Sequence, residues 1–304
     1  MDHKRNEHGH PLVTVKNGTL LGRTEGSANV FRGIPYAAPP VGDGRWRAPR
    51  PALFKEGVHD AASFCASPPQ AGPKDVEDIV SIGGAPEPTH EDCLTLNLWA
   101  PTDTATPVPV MVWVHGGSNR MGAGSLPFYD GTSFARDGVL LVTLNYRLGQ
   151  LGFFAHPALG REEPSQGNQA LLDQIAALEW VQENIAAFGG DVNNITLFGE
   201  SAGGLDILAL MTAKRAKGLF HKAIVQSGGG WLPASTLKAA LQKGVTTANA
   251  LGLADPDAAA LRQLPTTSLT AIESSFGPVV DGVLLTQDPI TAFARGQFAD
   301  IPLM

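Results

Sequence analysis

The stretch with the clearest chemical potential is the pentapeptide at residues 199–203, which reads Gly-Glu-Ser-Ala-Gly. It fits the pattern G-x-S-x-G, in which a serine stands on a sharp turn between a strand and a helix. Residues 195–198 are β-branched, leucine or aromatic, and residues 202–211 favour a helix, so Ser201 falls at such a turn. A hydroxyl held there is placed to act as a nucleophile. The simpler alternative is a serine that only caps the helix.

A second stretch, residues 115–118, reads His-Gly-Gly-Ser and follows directly after an apolar run. Loops of this kind donate backbone N–H groups to the oxygen that becomes negative when an acyl carbonyl is attacked. We expect the amides of Gly117, Ser118 and Ala202 to form this oxyanion hole. The alternative is a glycine turn that binds nothing. Glu200, directly before the serine, is a candidate for orienting the substrate, and an acid placed there by packing and paired with water is an equal interpretation.

These two stretches need a sheet that brings them together. From residue 108 onward, apolar runs alternate with helical segments, which is typical of buried parallel strands joined by crossover helices. The predicted strands are residues 108–115, 139–146, 195–199 and 223–226. Active sites in such sheets gather at the carboxyl ends of the strands, where the serine turn and the glycine loop both lie. The predicted fold class is therefore α/β, with a mostly parallel central sheet and flanking helices.

The rest of the chain is organised around this core. Residues 1–107 have the pattern of short strands, turns and a long loop, and residues 108–232 form the core. Residues 233–304 form a looser helical region with a short extended piece at 278–285. We expect all of them to belong to a single domain. The best helix pattern carries an apolar stripe that favours core packing. Its members are Leu171, Ile175, Leu178 and Ile185.

Composition excludes several classes of protein. Lys and Arg number 22 against 29 Asp and Glu, a formal net charge of −7, which is the wrong balance for a nucleic-acid partner. No apolar run approaches the about 18 residues of a membrane span, and the first residues lack the apolar core of a secretory signal. We therefore expect a cytoplasmic protein without a membrane partner. The His and Cys residues lack the spacing of metal ligands, and no cofactor is expected.

The chain has two cysteines, Cys65 and Cys93. This number excludes both a disulfide scaffold and a four-thiolate zinc site. A single bridge between them and a reduced pair are equally compatible with the sequence.

Eight stretches, in the same order and at the same spacing, resemble the type B carboxylesterase family, which includes bacterial para-nitrobenzyl esterases, liver carboxylesterases and cholinesterases. They are residues 31–37, 91–97, 115–117, 145–149, 172–174, 188–191, 199–204 and 226–228. The resemblance covers about residues 12–304. It implies an α/β-hydrolase fold and a serine hydrolase in which Ser201 attacks a carboxylic ester and forms an acyl-enzyme.

The resemblance also implies particular contacts. Exported members of the family have a bridge at the positions of Cys65 and Cys93. Buried ion pairs stand at the positions of Arg45 with Glu91 and of Arg147 with Asp173.

The expected ligand is a small carboxylic ester. Cholinesterases bind a quaternary ammonium on an aromatic ring carried by the loop that corresponds to residues 66–92, and this loop has no Phe, Tyr or Trp. A short-chain or aromatic ester is therefore expected in place of a choline ester. Phe128, Tyr129 and Phe153 are candidate pocket walls, and core packing is the alternative for each.

The sequence departs from the family at the other two catalytic residues. In this fold an acid and then a histidine follow the serine along the chain. Of the histidines only His221 follows Ser201, and it precedes the strand 223–226, at the end away from the serine. His115 is better interpreted as a support for the oxyanion loop. Acids after the serine do not stand at the family's acid position; they are Asp206, Glu273, Asp281 and Asp288.

We therefore interpret the chain as the N-terminal portion of such an enzyme, without the C-terminal strands, the acid and the histidine. A missing C-terminal segment or a second chain would complete it. A serine without a base is an ordinary alcohol, so the 304-residue chain alone is expected to hydrolyse esters no faster than its Ser201→Ala variant. The competing hypothesis is a non-catalytic binding module on the same scaffold, and the intact serine argues against it.

Overall fold

The computed structural model describes residues 4–54, 57–72, 88–103, 105–229 and 232–304. The strands are β1 (Lys4–Arg5), β2 (Pro11–Val15), β3 (Gly18–Leu21), β4 (Arg23–Glu25), β5 (Ala28–Pro35), β6 (Val58–Asp60), β7 (Thr95–Pro101), β8 (Val108–Val114), β9 (Leu140–Leu144), β10 (Gly190–Glu200), β11 (Lys222–Gln226), β12 (Ser235–Thr236) and β13 (Val279–Val280). The α-helices are α1 (Thr132–Arg136), α2 (Gly149–Phe153), α3 (Gln169–Asn184), α4 (Ala202–Thr212), α5 (Leu237–Ala250), α6 (Ala258–Arg262), α7 (Thr266–Thr270) and α8 (Pro289–Ala294).

The central sheet joins the core region to the N-terminal region. Within the described residues it has seven strands in the order β11-β10-β8-β9-β7-β5-β4. Strands β11, β10, β8 and β9 pair in parallel, as the apolar runs after residue 108 predicted. Strands β7, β5 and β4 add an antiparallel half. The first 107 residues therefore extend the same sheet, and β1, β2, β3 and β6 form a small second one.

Helix α3 is the crossover that covers one face of the parallel half. The four apolar residues of its predicted stripe, which ends one residue past the helix, are fully buried. They pack in the same cluster as Val112 of β8 and Leu197 of β10. Full burial of such a side chain contributes about 1.5–3 kcal/mol, so the stripe is core, as predicted.

Both predicted ion pairs are present, the first fully buried and the second partly buried. The Arg147 guanidinium donates to both carboxylate oxygens of Asp173, at 2.8 Å from Nε and 2.7 Å from Nη2, and ties the loop after β9 to α3. Arg45 pairs with Glu91 and also donates to the carbonyl oxygen of Leu264. The second pair therefore fastens the N-terminal region to the helical region.

The outer edge of β11 is paired, whereas a chain without the C-terminal strands is expected to leave this edge open. The N–H of Ala223 donates to the Pro302 oxygen at 2.9 Å, and the N–H of Val225 donates to the Met304 oxygen at 2.8 Å. Residues 302–304 therefore run parallel to β11.

The helical region is more irregular than its pattern suggested. Of the extended piece predicted at 278–285, only β13 is a strand, and it pairs with β12. Among the described helices, none combines the length and the hydropathy that a membrane crossing requires. Of the predicted loop 66–92, residues 73–87 lie outside the described residues.

Candidate active site

Ser201 occupies the turn between β10 and α4 that the sequence predicted. Its φ of 52° and ψ of −119° lie in a region that non-glycine residues rarely adopt. Its backbone N–H donates to the Gln226 oxygen at 2.8 Å, which ties the turn to the end of β11. The side chain makes no capping hydrogen bond to α4, so the helix-cap alternative is excluded. Backbone strain of this kind collects at functional sites, which is what a nucleophile on a sharp turn requires.

The glycines on either side of the turn are needed for space. A Cβ at Gly203 would lie 2.2 Å from the Val114 oxygen, and a Cβ at Gly199 would lie 2.7 Å from the same oxygen. The end of β8 therefore passes directly against the backbone of the turn, with no side chain between them. This close approach places the loop after β8 beside Ser201.

The loop after β8 is the predicted oxyanion loop, and it lies at the serine. A Cβ at Gly116 would lie 3.2 Å from the Ser201 Cβ. Gly117 and Ser118 then adopt φ values of 99° and 56°. The backbone N–H groups of Gly117, Ser118 and Ala202 make no hydrogen bond with another described residue. These amides are thus available to a ligand, as an oxyanion hole needs.

His115 supports this loop from beneath. Its ring is fully buried, stacks on Tyr146 at 4.4 Å between ring centroids, and has Nδ1 2.9 Å from the Gly116 oxygen. Because a carbonyl only accepts, Nδ1 carries the proton in this arrangement. Burial lowers the pKa of His115 to about 4, which keeps the ring neutral near pH 7. The Tyr146 hydroxyl donates to the His115 oxygen at 2.7 Å. These contacts fit the support role predicted for His115.

Three buried polar side chains beneath the loop form a network that the sequence interpretation did not find. Asp206 Oδ1 accepts from Asn119 Nδ2 at 3.1 Å, and Oδ2 accepts from Gln174 Nε2 at 2.7 Å. All three residues are fully buried. Burial raises the pKa of Asp206 to about 7. The available signal was an acid within an otherwise apolar helix, because a buried carboxyl needs hydrogen-bond partners.

Glu200 lies at the margin of the site. A Cβ at Gly116 would lie 2.5 Å from Glu200 Oε2, so the carboxylate faces the oxyanion loop. The residue is exposed, and the partial burial of its carboxyl raises its pKa. This position is compatible with both of its predicted interpretations.

The structure gives His221, Asp281 and Asp288 hydrogen-bond partners other than the serine. Ile195 donates its N–H to His221 Nδ1 at 3.2 Å. Because a strand rises about 3.3 Å per residue, the six steps from Ile195 to Ser201 separate His221 from the serine by about 20 Å. Asp281 accepts from the Ser165 hydroxyl at 2.5 Å, and Asp288 caps α8. No described histidine makes a hydrogen bond with Ser201.

A cavity of about 330 Å³ lies beside α4, one turn beyond the serine. Leu205 contributes to its wall, and its N–H donates to the Ser201 oxygen at 3.0 Å. Of the described residues that line the cavity, Lys243 alone carries a charge. Its apolar wall is formed mainly by Phe153, Phe154, Leu205, Leu208, Leu232 and Phe276.

The three candidate wall residues differ in position. Phe153 lines this cavity. Phe128 is 75% exposed, and Tyr129 packs on Trp113 with 5.1 Å between ring centroids. Phe153 is therefore the one of the three that lines the cavity beside α4.

The cysteines are free thiols in this structure, and the bridge implied by exported family members is not present. Cys65 Sγ donates to the Gly33 oxygen at 3.5 Å, and Cys93 is fully buried in the core. Burial raises the pKa of both thiols, which disfavours the thiolate that disulfide formation requires. The described residues contain no group of three or more His, Cys, Asp or Glu side chains arranged to hold a metal ion.

Comparison with known sequences places these features in a family. The sequence profile of the carboxylesterase family matches residues 9–304. The chain is 42% identical over 306 residues to fumonisin B1 esterase of Sphingopyxis macrogoltabida, which covers 95% of this chain and 54% of that protein. It is 41% identical over 313 residues to para-nitrobenzyl esterase of Bacillus subtilis (strain 168), which covers 97% of this chain and 62% of that protein.

Solved structures agree. A thermophilic PNB esterase matches with a TM-score of 0.87 at 38% identity, over 97% of this chain and 62% of that one. The carboxylesterase EST55 of Geobacillus stearothermophilus matches with a TM-score of 0.83 at 37% identity, over 96% of this chain and 60% of that one. These matches confirm the predicted α/β-hydrolase fold. The chain spans 54% to 62% of the length of the two curated relatives named above. With the family profile matched over nearly all of its residues, the chain belongs to the carboxylesterase family.

Proposed function

We propose that this chain carries the nucleophile and the oxyanion hole of a serine carboxylic ester hydrolase. The observation that supports this function most directly is Ser201, which is strained at φ 52°, does not cap its helix, and lies against the Gly116 loop. The family relatives named as esterases give the same chemistry. A non-catalytic binding module would have no need of a strained serine beside free amides.

In the proposed reaction, Ser201 Oγ adds to the ester carbonyl carbon while its proton passes to a base. The carbonyl oxygen becomes negative and accepts hydrogen bonds from the amides of Gly117, Ser118 and Ala202. Each such donor is worth about 2.7–4 kcal/mol when it is removed from an oxyanion hole. The alcohol then leaves with a proton, and water hydrolyses the acyl-enzyme.

The base and its acid partner are not provided by the described residues around Ser201. We infer that polypeptide outside these 304 residues supplies them, either as a C-terminal continuation or as a second chain. A positioned general base contributes about 10²–10⁴ to the rate. The chain alone should therefore have almost no activity that depends on Ser201.

The proposed substrate is a small carboxylic ester with a short-chain or aromatic acyl or alcohol group. The cavity beside Leu205 supports this proposal, because its volume of about 330 Å³ and its wall of phenylalanine and leucine suit a small apolar group. The part of the 66–92 loop that is described adds no aromatic residue that would bind a quaternary ammonium.

The test uses an activated ester with the missing base added as a small molecule. The 304-residue chain and its Ser201→Ala variant are mixed with para-nitrophenyl acetate, with and without imidazole. We expect equal rates without imidazole. With imidazole, we expect slow acetylation of the peptide that contains Ser201, detected by mass spectrometry and absent from the variant.

Two results would contradict the proposal in different ways. If imidazole produces no acetylation at Ser201, the serine is not a nucleophile and the proposed function fails. If a burst that depends on Ser201 occurs without imidazole, a base is already present and only the inference of an external base fails.

A further inference from the structure

Asp206 connects the helix that follows the nucleophile to the loop that carries the proposed oxyanion hole. It stands on α4, and its partner Asn119 directly follows Ser118 in the loop after β8. Asn119 is itself held at a second point, because its carbonyl oxygen accepts from the Gly149 N–H at 2.7 Å. Its φ of 56° is left-handed, so the side-chain contacts hold a strained backbone in place.

The environment of Asp206 is unusual for a buried carboxyl. Its hydrogen-bond partners are the neutral amides of Asn119 and Gln174, and no basic side chain pairs with it within the described residues. A buried acid usually has a cationic partner, because an isolated charge is costly away from water. Asp206 therefore acts on its neighbours as a pair of hydrogen-bond acceptors and not as a member of an ion pair.

We propose that Asp206 is a positioning residue of the oxyanion hole, which fixes Asn119 and thereby aims the adjoining Ser118 amide at a carbonyl bound at Ser201. The inference rests on the proposed function, since it assigns Asp206 a part in the same site. Asp206 does not touch the reacting atoms and acts through Asn119.

The network also has a place for a proton. When both Asp206 oxygens accept, as in this structure, the carboxyl is ionised, and the Gln174 Oε1 is left buried without a partner. If Gln174 turns its amide over, the hydroxyl of a neutral Asp206 donates a hydrogen bond to Oε1, and the contact to Asn119 is kept. A pKa raised to about 7 makes both states accessible near neutral pH.

The described groups that face Asp206 provide no free positive charge to balance it. Tyr146, from the segment after β9, donates to Asn119 Oδ1 at 3.4 Å and to His115. His115 remains neutral because burial lowers its pKa to about 4. Arg147, in the loop after β9, is already paired with Asp173 of α3. Ionised Asp206 therefore places an unbalanced negative charge beneath the oxyanion, and acetylation should slow as Asp206 loses its proton.

The experiment measures imidazole-dependent acetylation of Ser201 in the full chain and three variants. Asp206→Ala removes the acceptors and should slow acetylation about 10-fold to 100-fold, as expected when an oxyanion donor is misplaced. Asp206→Asn keeps an acceptor for Asn119 and should stay within about threefold of the wild type at low pH. Asp281→Asn is the matched control, a buried carboxyl held by Ser165 and by backbone amides, and should change nothing.

The pH profile separates positioning from a general loss of stability. After subtraction of the Ser201→Ala background and correction for imidazole ionisation, the wild-type rate should fall across an inflection near neutral pH. Asp206→Asn should lack this inflection. The proposal is wrong if Asp206→Ala acetylates as fast as the wild type, or if Asp206→Asn keeps the inflection. If Asp206→Ala does not fold, the Asp206→Asn profile alone decides.

A second readout does not depend on catalysis. Amide hydrogen exchange of Ser118 and Asn119 should accelerate in Asp206→Ala and remain at the wild-type rate in Asp206→Asn. If the wild-type chain shows no acetylation at Ser201, the proposed function fails, and hydrogen exchange then decides the positioning role. Equal exchange in Asp206→Ala and the wild type would show that Asp206 does not hold the loop.

Discussion

Two fully buried carboxylates lie on neighbouring helices and have opposite surroundings. Asp173 on α3 receives both arms of the Arg147 guanidinium, at 2.7 Å and 2.8 Å. Asp206 on α4 receives only neutral amides. The first carboxylate is balanced by a full positive charge and fastens a loop to the core. The second has no positive partner and lies beneath the proposed oxyanion hole. Loss of its proton would therefore disfavour the negative charge that develops there.

The largest expected effect comes from breaking the balanced pair. Asp173→Asn leaves the Arg147 charge buried without a partner, which should lower the free energy of unfolding by about 3–5 kcal/mol. Urea denaturation followed by circular dichroism measures the change. A loss below about 1 kcal/mol would mean that the pair contributes little and that the contrast with Asp206 is not electrostatic.

The intermediate expected effect is a pH dependence of the unfolding free energy that arises from Asp206. The folded protein holds the Asp206 proton up to about pH 7, whereas the ordinary pKa of an aspartate is 3.8, so the folded state binds more protons between these limits. The contribution of this proton to the free energy of unfolding is fully present below about pH 4. It is lost as the pH rises to about 7, at about 1.4 kcal/mol per pH unit.

Asp206→Asn removes that titration. The difference in unfolding free energy between the variant and the wild type should move in favour of the variant from about pH 5 to about pH 7, and stay constant above about pH 8. Urea titrations at several pH values measure it. A difference that does not vary with pH would show that Asp206 titrates normally.

The smallest expected effect is at the surface. Lys16 Nζ and Glu183 Oε1 lie 2.6 Å apart, but their side chains are 60% and 48% exposed. Because water screens such a pair, Glu183→Gln should change the unfolding free energy by less than about 1 kcal/mol, as measured in the same urea assay. A loss comparable to that of Asp173→Asn would show that burial does not set the difference between these pairs.

Local patterns in the sequence predicted much of the core and of the site. The apolar runs gave the parallel strands, the helical stripe gave α3, and the two glycine-rich stretches gave the turn at Ser201 and the loop at Gly117. These features were predictable because each is encoded within a few consecutive residues. The strain at Ser201 and the close approach of the two stretches agree with that interpretation.

Polar contacts between distant segments were not predictable in this way. Asp206 lies 87 residues from Asn119 and 32 from Gln174, and buried polar residues have no periodic signature. The observed strand β13 is shorter than the extended piece predicted at 278–285 for a related reason. The Asp281 carboxylate accepts from the N–H groups of Val283, Leu284 and Leu285, and so folds this segment into a turn.

The contact between Gly203 and the Val114 oxygen has a consequence for how such a site can diversify. Since the two backbones touch, the serine and the loop that follows Val114 cannot shift independently, and the reacting geometry behaves as one rigid unit. The cavity wall beside it comes largely from residues 232–244 and 275–279, which lie on other segments of the chain. Under the proposed function, substitutions there would change which ester is accepted without moving the Ser201 oxygen relative to the proposed oxyanion hole.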